Sequence, residues 1–198
     1  MVTGEIAAVR PVALYTTVST PKAKQPKHAA NSFPVYSSAI EPPHRSPPVS
    51  AADNDDPPFW QTRPLEAMTT AQWESLCDGC GKCCLNKYED EETGAIHYTS
   101  VACRLLDQKQ RCCGDYPNRA ERVEDCVTLT PENLRDPAWL PETCAYRRVA
   151  EGRPLPSWHP LRTGDPDSVH RAGQGVHGRV QSEADIDDPL MFLIDWVR

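Results

Sequence analysis

Hydrophobic and polar positions follow two different patterns along the chain, and the change lies near Phe59. Over residues 1–58 the apolar residues are scattered among Pro, Ser, Ala and Lys, and ten of the chain's 20 Pro lie there. Proline removes backbone hydrogen-bond donors, and scattered apolar residues form no face that can be buried. We therefore expect residues 1–58 to be a disordered, Pro-rich N-terminal extension and residues 59–198 to form the folded domain.

Short helices and short strands are predicted within residues 59–198. Thr69, with Gln72 three residues later, is typical of a capping box and predicts a helix over Thr70–Leu76. Met68 and Trp73 fit a hydrophobic staple around the start of that helix. The other predicted elements are strands over 85–89, 95–99 and 101–106, helix starts at 130–132 and 165–166, a helix over 141–151, and a C-terminal segment, 182–198, that packs back on the domain. The acidic run 89–92 is expected to be a solvated hairpin tip.

All nine cysteines lie between residues 77 and 144, and four of them fall within the eight residues Cys77–Cys84. Cysteines two residues apart can bring a pair of thiolates to one soft or borderline metal ion. Gly79 and Gly81 permit the tight backbone that such spacing needs. Adjacent side chains diverge, so Cys83 and Cys84 are expected to have different roles. The later cysteines are Cys103, Cys112, Cys113, Cys126 and Cys144.

Three chemistries fit this set of cysteines. Zinc held by four thiolates would staple a small, loop-rich domain. An iron–sulfur cluster is the second, because three cysteines at two-residue gaps match the start of ferredoxin-type ligation, although the fourth cysteine of that pattern is absent. Disulfides are the third and are disfavoured, because the N-terminus lacks a secretory signal and a reducing, cytoplasmic location is expected. Nine cysteines could supply two four-thiolate sites with one thiol left over, or one site and several buried thiols.

These elements and cysteines together predict an α+β fold. We expect a small, irregular, metal-stapled domain with short helices and a small antiparallel sheet. A domain of this size gains appreciable stability from a metal or from cross-links. The predicted organisation is thus a disordered extension, 1–58, followed by a cysteine-cluster metal-binding domain, 59–198.

Charge and hydropathy limit the partners of this domain. Residues 1–50 hold five basic and two acidic side chains, a net charge of +3, whereas residues 51–198 hold 16 basic and 26 acidic ones, a net charge of −10. An acidic domain repels the phosphate backbone, so no nucleic-acid partner is expected. No apolar run is long enough to span a bilayer, so no membrane partner is expected either. Organelle targeting by the N-terminal extension, whose first 40 residues hold a single acid, stays open.

The residues around the cysteines carry weaker signals. Lys82 has two interpretations, as a cation that lowers the pKa of nearby thiols or as a solvated loop residue. The histidines of the domain are not spaced as ligands to one another or to a cysteine, so structural or surface roles are expected for them. They are His97, His159, His170 and His177.

Several segments resemble the bacterial CxxCxxCC family, and within it the YcgN-like branch of cysteine-cluster proteins. They are 77–84 (CDGCGKCC), 101–106 (VACRLL), Asp115-Tyr116, Asp125-Cys126, 129–133 (LTPEN), Cys144-Ala145-Tyr146 and 158–161 (WHPL). The likeness runs from about Phe59 to the C-terminus. That family is described as zinc- or iron-chelating, so the resemblance implies metal chelation by the cysteine cluster and no particular reaction or substrate.

The chain departs from this branch at one place. The branch usually has Cys-x-Cys before x-Asp-Tyr, whereas this chain has Arg111-Cys112-Cys113. Cys113 takes the second cysteine position, Arg111 stands at the first, and the displaced sulfur is that of Cys112. The role of Cys112 is therefore the open point of the ligand set.

The sequence thus predicts a protein whose cysteine thiolates hold zinc or iron, with iron either as an ion or in an iron–sulfur cluster. Cys144 is expected to be a buried, small hydrophobe on a helix face. Two alternatives stay open: an iron–sulfur redox carrier or enzyme, and a zinc-stapled module whose acidic surface meets a basic protein partner. The expected metal ligands are Cys77, Cys80, Cys83, Cys84, Cys103, Cys112, Cys113 and Cys126.

Overall fold

The computed structural model describes residues 9–11 and 57–198. The strands are β1 (Val9–Pro11), β2 (Leu85–Asp90), β3 (Ile96–Ala102), β4 (Leu106–Asp107), β5 (Cys112–Cys113), β6 (Gln181–Ser182) and β7 (Leu193–Ile194). The helices are α1 (Phe59–Thr62), α2 (Thr70–Ser75), α3 (Arg119–Arg122), α4 (Ala145–Ala150), α5 (Pro160–Thr163) and α6 (Ser168–Arg171). Single 3₁₀ turns occur at Leu65–Ala67, Lys82–Cys84, Glu183–Asp185 and Pro189–Phe192.

The main sheet is organised around β3. Its strand order is β1-β2-β3-β6, and β7 also pairs with β3. The β3–β6 pairing is parallel, while the other pairings of this sheet are antiparallel. The β2–β3 turn is closed by Asp90, whose carboxylate accepts hydrogen bonds from the backbone N–H groups of Glu92 and Thr93 at 3.1 and 2.7 Å. The predicted α+β class with a small, mainly antiparallel sheet is confirmed.

Two hydrophobic clusters anchor the two ends of the cysteine loop, Cys77–Cys84. The first is built from helix and turn residues: Leu76, Leu134, Leu140, Ala145, Tyr146 and Leu155. The second is built mainly on the sheet: Leu85, Tyr98, Ala102, Val176 and Val197. Leu76 and Leu85 directly flank the loop and are 0% and 2% exposed. Burial of a leucine side chain contributes about 1.5–3 kcal/mol, so each loop end is fixed in a different cluster.

Local sequence signals located several elements correctly. Thr69 and Gln72 form the predicted capping box at the start of α2: the Gln72 N–H donates to Thr69 Oγ1 at 3.3 Å, and the Thr69 N–H donates to Gln72 Oε1 at 3.1 Å. Met68 and Trp73 both pack against the first cluster. The β2–β3 hairpin matches the strands predicted over 85–89 and 95–99. The C-terminal segment packs back as predicted, through Ile194, Trp196 and Val197.

The strand predicted over 101–106 is wrong. β3 ends at Ala102, where the Cys103 N–H donates to the carbonyl of Cys84 at 2.8 Å. The chain then turns, and the Leu106 N–H donates to the Cys103 carbonyl at 2.9 Å. Leu106 therefore begins a separate hairpin, in which β4 pairs antiparallel with β5.

Two predicted helices also differ from the structure. Thr130 and Asn133 form reciprocal capping hydrogen bonds at 2.9 and 3.4 Å, but only turns follow them before Pro137. A proline disfavours helical backbone at the residue before it, which leaves no room for a helix there. The helix predicted over 141–151 begins only at Ala145, because residues 141–144 form a turn. Cys144 is consequently the N-cap of α4 and lies ahead of the helix, not on its face.

Three residues of the N-terminal extension form an element that its composition does not predict. Strand β1 pairs with β2, and Arg10 forms an ion pair with Glu89 at 2.9 Å. The disorder predicted for the rest of the extension concerns residues 1–8 and 12–56, which lie outside the described residues. None of the helices in the described ranges has the length and apolar composition needed to cross a bilayer.

Candidate metal centre

The path of the cysteine loop is set by distant parts of the chain. His159 is fully buried, and its Nε2–H donates to the carbonyl of Leu76 at 3.1 Å. Its Nδ1 accepts from the backbone N–H of Leu161, which fixes this tautomer. Four carbonyls within the loop are bound similarly: Gly79 O by His177 Nε2 at 3.4 Å, Cys80 O by the Val176 N–H at 2.9 Å, Cys83 O by Lys87 Nζ at 3.0 Å, and Cys84 O by the Cys103 N–H at 2.8 Å.

The loop itself turns at its glycines and at an aspartate. Gly79 and Gly81 have φ angles of 70° and 76°, a left-handed conformation that favours glycine. A Cβ on Gly81 would stand 2.8 Å from Cγ2 of the fully buried Val176. Asp78 accepts a hydrogen bond from the Cys80 N–H at 3.0 Å through its side chain. The close spacing of the cysteines thus depends on Gly79, Gly81 and Asp78, which allow the backbone of the loop to turn tightly.

Backbone amides are directed at several of the sulfurs. The Leu105 N–H donates to Cys103 Sγ at 3.5 Å. Against the effect of burial, the backbone N–H groups of Gly79 and Lys82 lower the pKa of the Cys77 and Cys80 thiols, and those of Arg147 and Tyr146 lower the pKa of Cys144. Hydrogen bonds to the charged form of a thiol favour the thiolate, which is the form that binds metals.

A first group of thiols gathers around Cys83. Burial raises the pKa of Cys77 and of Cys80, and in both cases the neighbouring charges of Cys83 and Asp78 raise it further. Burial raises the pKa of Cys144 to about 12, and the charges of Cys83 and Asp78 act on it too. Cys77 and Cys83 are solvent-exposed, whereas Cys80 and Cys144 are half-buried. Four thiols, from the loop and from the start of α4, therefore share one region.

A second group of thiols lies on the sheet side of the loop. The neighbouring Cys83 thiol and burial both raise the pKa of Cys84, and the charge of Cys103 adds to this. Burial raises the pKa of Cys103 and of Cys126, and the charge of Cys113 acts on both of them. These four side chains come from the loop end, the end of β3, the hairpin β4–β5 and the turn after α3.

Cys83 and Cys84 join the two groups. The neighbouring Cys84 thiol lowers the pKa of Cys83, and the Lys87 cation acts in the same direction against burial. The two neighbours thus have different surroundings, as the sequence predicts for adjacent side chains.

Lys87 is the lysine that stands among the thiols, and sequence reasoning missed it. It is 7% exposed, and burial lowers its pKa while the charges of Cys83 and Cys84 raise it. The signal that could have found it is strand alternation, because Leu85 and Lys87 lie two apart on β2 and both are buried. The solvated-loop interpretation of Lys82 is wrong: this residue is 4% exposed, and its Nζ donates to Thr143 Oγ1 and Gln174 Oε1, both at 3.1 Å.

Cys112 stands apart from both groups. It precedes Cys113 on β5, and successive side chains of a strand point to opposite faces. Burial and the charge of Asp107 raise the pKa of Cys112, with Cys113 as the cysteine that acts on it. Arg111 has a φ of 59°, and its guanidinium pairs with Asp167 at 2.8 Å. Arg111, which stands at the first cysteine position of the branch pattern, thus forms an ion pair with Asp167.

The histidines are placed beside the loop or away from it. His159 is structural, as predicted, and burial lowers its pKa. The rings of His170 and His177 are 4.9 Å apart, and burial lowers the pKa of each. His97 lies half-buried on β3. An open cavity of about 360 Å³ borders the loop and is lined by Arg111, His170, Gly173, Gly175, His177 and Arg179.

The donor set fits a metal that prefers sulfur, although the side chains do not yet converge. All nine cysteines are free thiols. Across residues 9–11 and 57–198, no three His, Cys, Asp or Glu side chains stand close enough to bind one ion as they are placed. Two groups of four thiols, with amides directed at several sulfurs and a buried lysine between the groups, match the ligand chemistry of zinc and of iron–sulfur clusters.

Comparison with known proteins agrees with the resemblance seen in the sequence. The model of the CxxCxxCC family, described as "Putative zinc- or iron-chelating domain", matches residues 76–145. A UPF0260 protein of Rhizorhabdus wittichii is 58% identical over 140 residues, which cover 71% of this chain and 96% of that protein. A UPF0260 protein of Parvibaculum lavamentivorans is 56% identical over 141 residues, which cover 70% of this chain and 92% of that protein.

A third relative, the UPF0260 protein mll2411 of Mesorhizobium japonicum, is 59% identical over 133 residues, covering 67% of this chain and 90% of that protein. No solved structure matches the chain. The three relatives share more than half of their residues with this chain over nearly their whole length. The chain therefore belongs to the UPF0260 family and carries its CxxCxxCC domain over residues 76–145.

Proposed function

We propose that this protein binds zinc or iron through cysteine thiolates, and that Cys77, Cys80, Cys83 and Cys144 form its principal centre. The observation that carries the proposal is the contact of Trp73 with Tyr146, which places Cys144 at the start of the loop that holds Cys77, Cys80 and Cys83. The charges of Cys83 and Asp78 act on the pKa of the other three thiols. Four sulfurs complete the coordination of a zinc ion or of an iron–sulfur cluster.

Cys144 thus replaces Cys112 among the eight ligands that the sequence predicts. Tyr146, two residues after Cys144, donates its hydroxyl hydrogen to the carbonyl of Trp73 at 2.9 Å. Their rings also pack with centroids 5.0 Å apart. Because Trp73 lies in α2, just ahead of Cys77, this contact holds the start of α4 against the start of the cysteine loop. Cys144 is therefore supported as a ligand by its position beside the start of the loop.

The nature of the metal separates the two wider functions that fit this centre. Bound zinc would supply a closed structural cross-link between α2 and α4, as a module for protein interaction needs. A bound iron–sulfur cluster would supply one-electron redox chemistry. In both cases the residues of this chain hold the thiolates, direct amides at the sulfurs and place a cation near them. A reversible loss of visible absorption on reduction would support the redox carrier, and a colourless zinc protein would rule it out.

The test is metal analysis after purification without oxygen, on the wild type and on three cysteine variants. We expect bound zinc or iron in the wild type and less of it in Cys80→Ser and Cys144→Ser, because each removes a ligand. Cys112→Ser is the matched control and should keep the wild-type metal content. Metal-free wild-type protein that stays folded in chelator would overturn the proposal. Full metal content in Cys144→Ser would overturn the assignment of that ligand.

A further inference from the structure

The cysteines outside the principal centre are themselves brought together by the backbone. Cys84 and Cys103 follow directly on the paired residues Leu85 and Ala102, and the Cys103 N–H donates to the Cys84 carbonyl at 2.8 Å. Their Cα atoms thus sit side by side at the end of the β2–β3 ladder. The Leu105 N–H, two residues beyond Cys103, donates to its sulfur at 3.5 Å. This pair alone supplies half of a four-sulfur site.

The other half is supplied by the segments that follow. In the hairpin β4–β5, Cys113 pairs with Leu106, and the Gly114 N–H donates to the Leu105 carbonyl at 2.7 Å. These two contacts hold Cys113 beside the turn that begins at Cys103. Arg104 reaches across to the carbonyl of Arg122 at 2.5 Å. That contact fixes the end of α3. In the turn that follows α3, the Cys126 N–H donates to the Val123 carbonyl at 2.9 Å, and Cys126 supplies the fourth thiol.

The cysteine loop divides between the two regions at Cys83 and Cys84. The charge of Cys83 acts on Cys77, Cys80 and Cys144, while Cys84 stands beside Cys103, whose N–H donates to its carbonyl at 2.8 Å. The nine cysteines thereby separate into two groups of four and a remainder, Cys112. Of the possibilities that the sequence leaves open, this distribution favours two four-thiolate sites over one site surrounded by buried thiols.

We propose that Cys84, Cys103, Cys113 and Cys126 form a second four-thiolate metal centre, and that Lys87 is the buried cation shared by both centres. The proposal rests on the proposed function, because it assumes that the thiolates of this chain bind metal. Four thiolates around a divalent ion leave a net charge of −2, and two such centres side by side repel each other. A lysine that donates to Cys83 O at 3.0 Å from between them offsets part of this repulsion.

The test compares the metal content of serine variants, each expressed as a fraction of the wild-type content. This ratio does not depend on whether the metal is zinc or iron. Cys113→Ser is expected to lose about half of the metal, Cys80→Ser the other half, and the double variant all of it. Cys112→Ser changes the neighbouring residue on the same strand, so it is the matched control and should lose nothing. Wild-type metal content in Cys113→Ser would overturn the second centre.

The two proposals fail in different ways. If Cys80→Ser loses all of the metal and Cys113→Ser none, the principal centre stands and the second one falls. If the wild type holds no metal, both fall.

A measurement on the wild type alone covers the case in which Cys113→Ser does not fold. Metal-bound protein is treated with iodoacetamide without denaturant, and alkylation is mapped by mass spectrometry before and after chelator is added. We expect Cys112 alone to be alkylated rapidly at first and all nine cysteines to react after chelation. Rapid alkylation of Cys103, Cys113 and Cys126 in the metal-bound protein would overturn the second centre.

Discussion

The close contact between Gly81 and Val176 yields a sharp test of how the cysteine loop is fixed. Gly81→Ala would place a Cβ 2.8 Å from Cγ2 of a fully buried valine, at a backbone φ of 76°. Gly152→Ala is the matched control, because Gly152 has a φ of 67° and no heavy atom within 4 Å of the added Cβ. Both variants carry the same backbone strain, and only the first carries a clash.

The magnitudes follow from these two contributions. Left-handed backbone costs a residue with a Cβ about 1–2 kcal/mol, and the loss of glycine's freedom in the unfolded chain returns roughly 0.4–1 kcal/mol. Gly152→Ala should therefore lower the free energy of unfolding by about 1 kcal/mol. Overpacking of a filled core costs a further 1–3 kcal/mol or so, and Gly81→Ala should lose about 2–4 kcal/mol.

The assay is urea unfolding of the metal-bound protein without oxygen, followed by tryptophan fluorescence. With a slope of about 2 kcal/mol per molar urea, the two variants should differ in midpoint by roughly 1 M. Gly81→Ala should also hold its metal less tightly, because Cys80 and Cys83 flank the displaced residue. Equal midpoints for Gly81→Ala and Gly152→Ala would show that the packing of Val176 against the loop is not what fixes it.

Two further predictions concern the groups that surround the loop. Lys87→Met keeps the length of the side chain but removes the charge-assisted hydrogen bond to Cys83 O, worth about 1.5–3 kcal/mol. Metal should therefore be lost at a chelator concentration roughly 10- to 100-fold lower than in the wild type. Lys82→Met, which also alters a buried lysine, is the control, and an equal weakening of metal binding in that variant would contradict the prediction. His159 is neutral in the fold because burial lowers its pKa, so its contribution to stability is complete above about pH 6.5 and is lost as the pH falls below that value. Urea midpoints should consequently fall less between pH 7 and pH 5 in His159→Gln than in the wild type, and parallel curves would count against this assignment.

The parts of the fold that the sequence predicts correctly are those that depend on neighbouring residues. Thr69 and Gln72 satisfy each other's backbone groups within one turn, and Asp90 closes its hairpin through residues two and three positions away. The same logic fails where a distant group decides the outcome. The strand expected over 101–106 is cut short because the chain turns at Cys103, whose carbonyl accepts from the Leu106 N–H, and Leu106 pairs instead with Cys113, a partner that no local pattern reveals.

The candidate site shows the same division between local and distant information. Spacing predicts the loop cysteines as ligands, and adjacency predicts different roles for Cys83 and Cys84; both stay predictions. The resemblance brings in Cys112 as the displaced sulfur of the Cys-x-Cys pattern, yet successive side chains on a strand point to opposite faces, so Cys112 points away from Cys113. Cys144 could not be recognised from spacing, since it reaches the loop only through the packing of α4 against α2. Its assignment remains a prediction for the serine variants to test.

The two proposed centres would cross-link different parts of the molecule. The principal centre joins the cysteine loop to the start of α4, and so to the cluster that buries Leu76. The second joins the end of the loop to β3, to the β4–β5 hairpin and to the turn at Cys126, next to the cluster that buries Leu85. Because Cys83 and Cys84 are consecutive, the two cross-links would meet at a single peptide bond. Metal at either centre would then limit the movement of one hydrophobic cluster relative to the other. Because the helices and strands of this domain are short, such cross-links would contribute a larger share of its stability than in a domain with long helices.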